Sequence, residues 1–196
     1  ADTVQYVGDS VAFVVAETPA QAQDAAEAII VEYEPLAAVI GCDKAGADEL
    51  SFEWEMGDRS TVEEAFAAAR HHVSLDLINN RVVLAAIETR GALAEYDPDG
   101  CEGRGKYTLT TTTQMPNPMR EQLADQILGV AREQVRVLVH EVGGGFGGKN
   151  SLFPEYPLCL LAARQLGRAV KWIGQRGDAF VTDFHGRDNI MRAEMA

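Results

Sequence analysis

The chain has 196 residues, of which 46% are hydrophobic and 24% charged, a composition typical of a folded globular protein. Its 17 basic and 30 acidic residues give a formal net charge of −13, which disfavours nucleic acid and anionic lipid as partners because like charges repel. No apolar run approaches the roughly 20 residues of a membrane span, and no secretory signal pattern opens the chain. We therefore expect a cytoplasmic protein without a membrane span.

The cysteines and histidines do not indicate a metal site. Cys42, Cys101 and Cys159 are odd in number, far apart and without a C-x-x-C pair, which fits neither a disulfide framework nor a zinc or iron–sulfur site. The four histidines also lack the spacing of metal ligands. We expect reduced thiols and predict no side chain of this chain as a metal ligand.

The first predicted elements form a β-α-β-like unit. Residues 10–17 (SVAFVVAE) are an apolar, β-branched run suited to a strand that is covered on both faces. Thr18, Pro19 and Gln21 then occupy the cap, first-turn and capping-box positions of a helix. Residues 30–34 return as a second predicted strand.

A loss of periodicity after Pro35 indicates a domain boundary, because Gly, Asp and Glu collect there. We assign residues 1–45 to a first domain, residues 46–58 to a linker and residues 59–196 to a second domain. The second domain opens with a helix that Ser60 and Glu63 are predicted to cap. The predicted inner face of that helix holds Val62, Ala65, Phe66 and Ala69.

Strands and helices mix in the rest of the second domain. An extended stretch at residues 72–87 is interrupted at Asn79-Asn80, and residues 97–100 (DPDG) predict a turn between antiparallel strands. The further predicted elements are a strand at 106–113, a helix from Asn117 to Gly129 with Leu123, Ile127 and Leu128 inward, a strand at 135–142, a helix at 156–166 and a strand at 170–173.

The most unusual segment holds five glycines at residues 143–148. Such a cluster is tolerated where the backbone needs unusual dihedral angles or must approach a ligand closely. The segment matches the dinucleotide pattern G-x-G-x-x-G, but the acidic residue expected about 20 positions on is missing. It also matches the P-loop pattern, but Asn150 replaces the Mg²⁺-binding hydroxyl and Pro154 and Pro157 delay the next helix. A tight turn without a ligand is the third alternative.

Several segments, taken together, closely resemble the large, molybdenum-binding subunit of the xanthine dehydrogenase, aldehyde oxidase and aerobic carbon monoxide dehydrogenase family. The segments are residues 4–12 (VQYVGDSVA), 30–36, 86–94 (AIETRGALA), 111–114 (TTTQ), 142–149 (VGGGFGGK) and 184–188 (FHGRD). The resemblance implies an α+β fold: the C-terminal part of an α/β hammerhead domain, then the first part of the molybdopterin-binding domain, with a mixed sheet and packed helices.

The resemblance also implies a function. Family members are molybdenum hydroxylases that oxidise a small aldehyde, an N-heterocycle or carbon monoxide, with water as the oxygen source. Their cofactor is molybdenum bound to molybdopterin, as the cytosine dinucleotide in most bacterial members. Their partners are an iron–sulfur small subunit with [2Fe–2S] clusters and a medium subunit that binds FAD.

The resemblance implies roles only for those residues of this sequence that match the family's motifs. Gln114 matches a glutamine whose amide donates a hydrogen bond to an oxygen ligand of molybdenum, as outer-shell groups do. Gly144, Gly145, Phe146 and Gly147 match the loop that lies against the cofactor, where backbone N–H groups stabilise negative charge. We therefore predict Gln114 and Phe146 as catalytic residues, and Gln114 with these four loop residues as cofactor-binding.

Neighbouring residues receive plainer interpretations. Glu88 and Arg90 share one face of a predicted strand and are expected to form a structural ion pair. Lys149 is expected to pack its stem and pair with a nearby carboxylate. Asn150 stands where purine-oxidising members carry a glutamate, and an amide cannot supply the charge of a carboxylate, which disfavours xanthine as the substrate.

The chain lacks an initiator Met, and we interpret it as a piece of a larger subunit. The general-base glutamate and the loop that distinguishes carbon monoxide enzymes are expected after Ala196, so the isolated chain should be free of cofactor and inactive. Two alternatives stay open: a P-loop-like or dinucleotide-binding protein that uses residues 143–149, and a non-catalytic remnant of the family.

Overall fold

A computed structural model describes residues 3–41, residue 44 and residues 52–196. Contacts divide the chain into two compact units. The sheet unit comprises Ala1–Val31 and Val83–His185, and the ribbon unit comprises Glu32–Val82 and Gly186–Ala196. Cys42 and residues 46–51 of the predicted linker lie outside the described residues.

The first helix, α1, spans Pro19–Glu27 and begins as predicted. The Thr18 hydroxyl accepts a hydrogen bond from the backbone N–H of Gln21 at 3.2 Å, and the Gln21 side chain accepts one from the backbone N–H of Thr18 at 3.1 Å. The predicted strands at residues 10–17 and 30–34 are wrong, because neither segment pairs with another strand among the described residues. An apolar run becomes a strand only where it finds a partner, and here Val11 and Ile30 are exposed.

Four strands form the mixed sheet of the sheet unit: β3 (Gly91–Asp97), β4 (Lys106–Thr111), β5 (Val135–Leu138) and β6 (Val170–Ile173), in the order β5-β4-β3-β6. β3 runs antiparallel to β4 and to β6, whereas β4 and β5 are parallel. The predicted turn joins β3 to a one-turn segment, α3 (Gly100–Gly103), which leads into β4. The predicted mixed sheet is confirmed, although β4 and β5 end earlier than expected.

The core of the sheet unit lies between the sheet and helix α5, which spans Glu155–Leu166. Alternate residues of β4 point into it, and Tyr107 and Leu109 are buried. From α5, Tyr156, Cys159 and Leu160 are fully buried. This packing gives the chain segments before and after the glycine cluster a rigid support.

Helix α4 spans Pro116–Gln122 and continues as a π-helical turn over Leu123–Leu128. Gly129 ends it in the left-handed conformation, as predicted. Leu123 is buried as expected, but Ile127 is exposed, because the wider π-turn changes which residues face inward. A 3₁₀ turn at Arg132–Gln134 leads into β5, and helix α6 spans Arg176–Thr182.

The ribbon unit holds helix α2 (Arg59–Ala68) and strands β1 (Val73–Asn79) and β8 (Asn189–Met195), which pair antiparallel. Asp58 caps α2 instead of Ser60 and Glu63: its carboxylate accepts hydrogen bonds from the side chain and backbone of Ser60 and from Thr61, and these bonds lower the pKa of Asp58. The predicted inner face of α2 contains no buried residue among those described. Two short strands, β2 (Val82–Val83) and β7 (His185–Gly186), lie where the chain passes between the units.

Candidate functional site

The glycine loop, defined here as residues 143–149, follows β5 and precedes α5. The first residue of α5, Glu155, comes six positions after Lys149, and Pro157 lies in the first turn of the helix. In a P-loop the helix starts at the loop, so that its N-terminal amides face the phosphates. The delayed helix therefore removes the main support for nucleotide binding by this loop.

The end of strand β4 is fixed to the end of the glycine loop. The backbone carbonyl of Lys149 accepts a hydrogen bond from the backbone N–H of Gln114 at 3.1 Å and another from the Thr113 hydroxyl at 2.9 Å. The same hydroxyl accepts a hydrogen bond from the backbone N–H of Met115 at 3.2 Å. The fold thus sets the backbone position of Gln114 from both sides.

The side chain of Gln114 reaches the middle of the loop. Its Oε1 accepts a hydrogen bond from the backbone N–H of Gly147 at 2.9 Å. Because an N–H donor must meet an oxygen, this bond determines which end of the amide faces the loop. The Nε2 group makes no hydrogen bond to any described residue, and Gln114 is exposed. The amide therefore presents two free N–H groups to the outside.

Gly145 must be a glycine to admit this side chain. A Cβ at Gly145 would lie 2.5 Å from Oε1 of Gln114 and 2.7 Å from its Cδ. The carbonyl of Gly145 then accepts a hydrogen bond from the N–H of Gly148 at 2.7 Å, which closes a tight turn. Phe146 (φ 49°) and Gly147 (φ 88°) are the central residues of that turn and both have left-handed backbone conformations.

Phe146 occupies the tip of the turn, with 73% of its surface exposed. A non-glycine residue in the left-handed region costs on the order of 1–3 kcal/mol and persists only where its surroundings enforce it. The turn therefore holds the Phe146 backbone in an unfavourable conformation and leaves its aromatic ring exposed at the surface. The structure thus brings Gln114, Gly145, Phe146 and Gly147 together, with Gly144 beside the Phe146 ring.

Glu88 contacts the first residue of the loop. Its Oε2 accepts hydrogen bonds from the N–H of Gly143 at 2.7 Å and from the ammonium of Lys149 at 3.1 Å. The expected pairing of Lys149 with a nearby carboxylate is confirmed, but the expected ion pair between Glu88 and Arg90 is wrong. Glu88 precedes β3, so strand alternation does not determine where its side chain points.

Arg90 instead lies in the sheet unit with 2% of its surface exposed, between Glu155 at 2.8 Å and Asp183 at 2.6 Å. Its guanidinium lies over the Phe153 ring, 3.7 Å from the centroid. Burial disfavours the charged form of Arg90, but the hydrogen bonds and charges of Glu155 and Asp183 raise the pKa above its ordinary value. Arg90 therefore joins the start of α5 to the segment after α6 and serves the fold.

A cavity of about 330 Å³ lies over the sheet, and Glu88, His140, Lys171 and Trp172 contribute to its lining. Glu88 therefore borders both this cavity and the glycine loop, whereas Gln114 and Phe146 do not line the cavity. Among the described residues, no group of three or more His, Cys, Asp or Glu is arranged to hold a metal ion. No helix in the described part of the chain is long and apolar enough to cross a membrane.

Sequence reasoning missed two contributors to this site, Thr113 and Glu88. The sequence gives Thr113 no role of its own within the segment 111–114, and it predicts for Glu88 only an ion pair with Arg90. The available signal was that Glu88 is an acidic residue just before a strand. Its side chain is free for another partner because Arg90 pairs with other carboxylates. No sequence pattern specifies that Glu88 contacts a loop 55 positions later.

The comparison with protein families yields two adjoining matches. Residues 43–196 match the molybdopterin cofactor-binding domain. Residues 1–37 match the a/b hammerhead domain of aldehyde oxidase and xanthine dehydrogenase. The second match covers the N-terminal segment in which the sequence predicted the end of a hammerhead domain.

Curated relatives agree. The carbon monoxide dehydrogenase large chain of Hydrogenophaga pseudoflava is 31% identical over 100% of this chain, and the nicotine 6-hydroxylase large subunit of Paenarthrobacter nicotinovorans is 34% identical over 100% of it. This chain covers 26% and 24% of those proteins, about a quarter of their length.

Solved structures share the fold. Carbon monoxide dehydrogenase from Oligotropha carboxidovorans aligns with a TM-score of 0.82 and 28% identity over 91% of this chain and 24% of its own. Quinoline 2-oxidoreductase from Pseudomonas putida 86 aligns with a TM-score of 0.76 and 33% identity over 92% of this chain and 24% of its own.

Proposed function

Because the chain belongs to the xanthine dehydrogenase, aldehyde oxidase and carbon monoxide dehydrogenase family of molybdenum oxidoreductases, we propose that it forms part of the catalytic subunit of a molybdenum hydroxylase. The substrate is a small aldehyde, an N-heterocycle or carbon monoxide, oxidised with water as the oxygen source. Relatives named for carbon monoxide, nicotine and quinoline support carbon monoxide and N-heterocycles within this range. The activity belongs to the complete subunit, of which this chain matches about a quarter.

The cofactor follows from the matched domain. Residues 43–196 belong to a molybdopterin cofactor-binding domain, and we propose the cytosine dinucleotide form. Relatives named as large chains or large subunits support partner subunits, which we propose to be an iron–sulfur small subunit and an FAD-binding medium subunit. We also propose a location in the cytoplasm, where cysteines that form no disulfide are usual, and Cys101 and Cys159 form none.

The observation that carries the site assignment is the hydrogen bond between Gln114 Oε1 and the N–H of Gly147. It leaves the Nε2 group of Gln114 free and exposed, beside a turn of bare backbone, and such a donor set fits a cofactor with oxygen ligands. When bound, the molybdenum cofactor supplies the two-electron oxidation chemistry. Gln114 orients it by donating hydrogen bonds from a neutral amide, which does not compete as a metal ligand.

The glycine loop adds backbone and an apolar surface. Gly144, Gly145 and Gly147 have no side chains, so main chain can approach the cofactor closely, and backbone N–H groups aimed at a developing negative charge stabilise it. The exposed ring of Phe146 would contact the bound cofactor and exclude water there. The Gln114 side chain holds this turn in place through Gly147.

Replacing Gln114 with Ala in the complete subunit tests this assignment. We expect kcat to fall about 10- to 100-fold, the usual loss when a group that orients a metal site is removed. The free energy of unfolding should change by less than about 1 kcal/mol, because the Gln114 side chain is exposed. The control is Gln126→Ala, a second exposed glutamine, which lies in the π-helical turn after α4. An unchanged rate at full molybdenum occupancy would remove the proposed role.

Gly145→Ala tests the same site without deleting the amide. The added Cβ would overlap the end of the Gln114 side chain and break its bond to Gly147. We expect a loss of kcat comparable to that of Gln114→Ala, measured in steady-state assays. If Gly145→Ala turned over like the wild type, the close packing of Gln114 on the loop would have no bearing on catalysis.

The isolated chain is proposed to be free of cofactor. It matches about a quarter of the length of its relatives, and Gln114, Phe146 and Gly147 are exposed. Elemental analysis of the purified 196-residue chain should find no stoichiometric molybdenum. One molybdenum per chain would contradict the proposal. A complete subunit that binds molybdenum but turns over no substrate would favour a non-catalytic family member.

A further inference from the structure

We propose that Glu88 and Lys149 are positioning residues, whose ion pair clamps the two ends of the glycine loop together and thereby holds the amide of Gln114. The pair lies outside the tight turn of residues 145–148, to which the Gln114 side chain binds through the N–H of Gly147. The consequence for catalysis rests on the proposed function of Gln114. The clamp itself rests only on contacts within the sheet unit.

Glu88 holds the first residue of the loop by two hydrogen bonds. Its Oε2 accepts from the N–H of Gly143 at 2.7 Å, and its own backbone N–H donates to the carbonyl of Gly143 at 3.2 Å. A Cβ at Gly143 would lie 2.6 Å from the Cβ of Glu88, so only glycine permits this approach. Gly143 is therefore fixed through both of its backbone polar groups.

Lys149 holds the last residue of the loop. Its ammonium donates to the same Oε2 of Glu88 at 3.1 Å, and its carbonyl accepts from Gln114 and Thr113. One carboxylate oxygen thus connects Gly143 to Lys149, and Lys149 connects that oxygen to the backbone of Gln114.

Burial acts on the lysine side of this connection, because the Glu88 side chain is 37% exposed. Lys149 has 4% of its side chain exposed, and Glu88 is its ion-pair partner among the described residues. A buried ammonium that loses its partner is left with part of its desolvation cost uncompensated, which opposes opening of the pair. A segment with five glycines in six positions has more backbone freedom to lose than other sequences, and a contact at each end limits that freedom.

Hydrogen–deuterium exchange of the complete subunit without cofactor tests the clamp. The variant Glu88→Gln keeps an acceptor for Gly143 but removes the charge that Lys149 needs. We expect the amides of Gly143, Gly147 and Gln114 to exchange about tenfold faster or more, as for the loss of a charged hydrogen-bond partner. Paired amides of β3 and β4 should keep their protection.

The double variant with Lys149→Met and Glu88→Gln removes the buried charge together with its partner. We expect its loop amides to exchange more slowly than those of Glu88→Gln alone, because no unpaired ammonium remains. The control is Glu95→Gln, the same change at an exposed carboxylate of β3, which should leave loop exchange at the wild-type rate. In the loaded enzyme, Glu88→Gln should lower kcat at unchanged KM and molybdenum content.

The outcomes separate the clamp from the role of Gln114. Wild-type exchange of the loop in Glu88→Gln overturns the clamp, whatever Gln114 does. Equally faster exchange in the loop and in β3 and β4 also overturns it, because the pair would then serve only overall stability. A loosened loop together with normal turnover of Gln114→Ala supports the clamp and refutes the proposed role of Gln114.

Discussion

The sheet unit and the ribbon unit both contain paired strands, yet they differ in how their apolar side chains are used. In the sheet unit, Leu109 of β4 and Leu160 of α5 are fully buried and belong to the same hydrophobic core. In the ribbon unit, β1 and β8 pair over seven residues, but no described residue of that unit is buried and Leu77 and Ile78 are exposed. Strand pairing is thus present in both units, whereas burial is confined to one.

This difference bears on the candidate site. Every residue assigned to the site lies in the sheet unit. Gln114 lies shortly after the end of β4, and α5 follows the glycine loop. Binding groups that extend from packed strands and helices are held more accurately than groups on unsupported loops. A two-stranded ribbon without a packed face is only marginally stable in water, so it offers no comparable support.

The largest expected contrast is in stability. Leu109→Ala removes a fully buried side chain and should lower the free energy of unfolding by about 2–5 kcal/mol. Leu77→Ala, at a position 39% exposed in the ribbon, should cost less than about 1 kcal/mol. Urea denaturation of the two variants measures both values. Equal losses would mean that the ribbon is buried in solution to the same degree as the sheet.

Alkaline pH should weaken the sheet unit in particular. Burial raises the pKa of the Cys159 thiol to about 12, from an ordinary value of 9.0, and burial also raises the pKa of Tyr156. The unfolded chain then releases these protons at lower pH than the folded chain. The stability is therefore complete below about pH 9 and falls as the pH rises toward about 12.

Denaturation measured from about pH 8 to about pH 11 should show this loss, and the variant Cys159→Ala should reduce it. Alkylation gives a second readout. Iodoacetamide should modify the half-buried Cys101 well before the buried Cys159, since the thiolate is the reactive species. Equal labelling of both thiols in the folded chain would show that α5 does not exclude solvent as described.

Local sequence signals predicted elements well where the determinants are themselves local. The cap of α1 at Thr18, the end of the α4 region at Gly129 and the strand β6 at Val170–Ile173 agree with the structure. The strands predicted at residues 10–17 and 30–34 fail because pairing depends on a partner that the segment itself does not specify. The cap of α2 was misplaced by two residues because Asp58 and Ser60 are both good N-cap residues.

The candidate site divides in the same way. The resemblance of residues 111–114 and 142–149 to family motifs identified Gln114 and the glycine loop, and the structure brings them within hydrogen-bonding distance. The contact of Glu88 with Gly143 and Lys149 joins the segment before β3 to a loop 55 to 61 positions later in the sequence, and no periodicity encodes it. The same holds for Arg90, whose partners Glu155 and Asp183 lie 65 and 93 positions away.

The smallest expected effect is in the ribbon unit. Asp76 of β1 lies opposite Arg192 of β8 in the ladder, so Asp76→Lys places two positive charges across from each other. Like charges at directly opposite positions destabilise a strand pair, here by about 0.2–1 kcal/mol. Hydrogen exchange should therefore rise by a factor of a few in the amides of β1 and β8. Because the sheet unit holds its own core, the amides of β3 and β4 should exchange at the wild-type rate. A matching rise there would show that the two units unfold together. The units would then differ in the burial of their side chains but not in their stability.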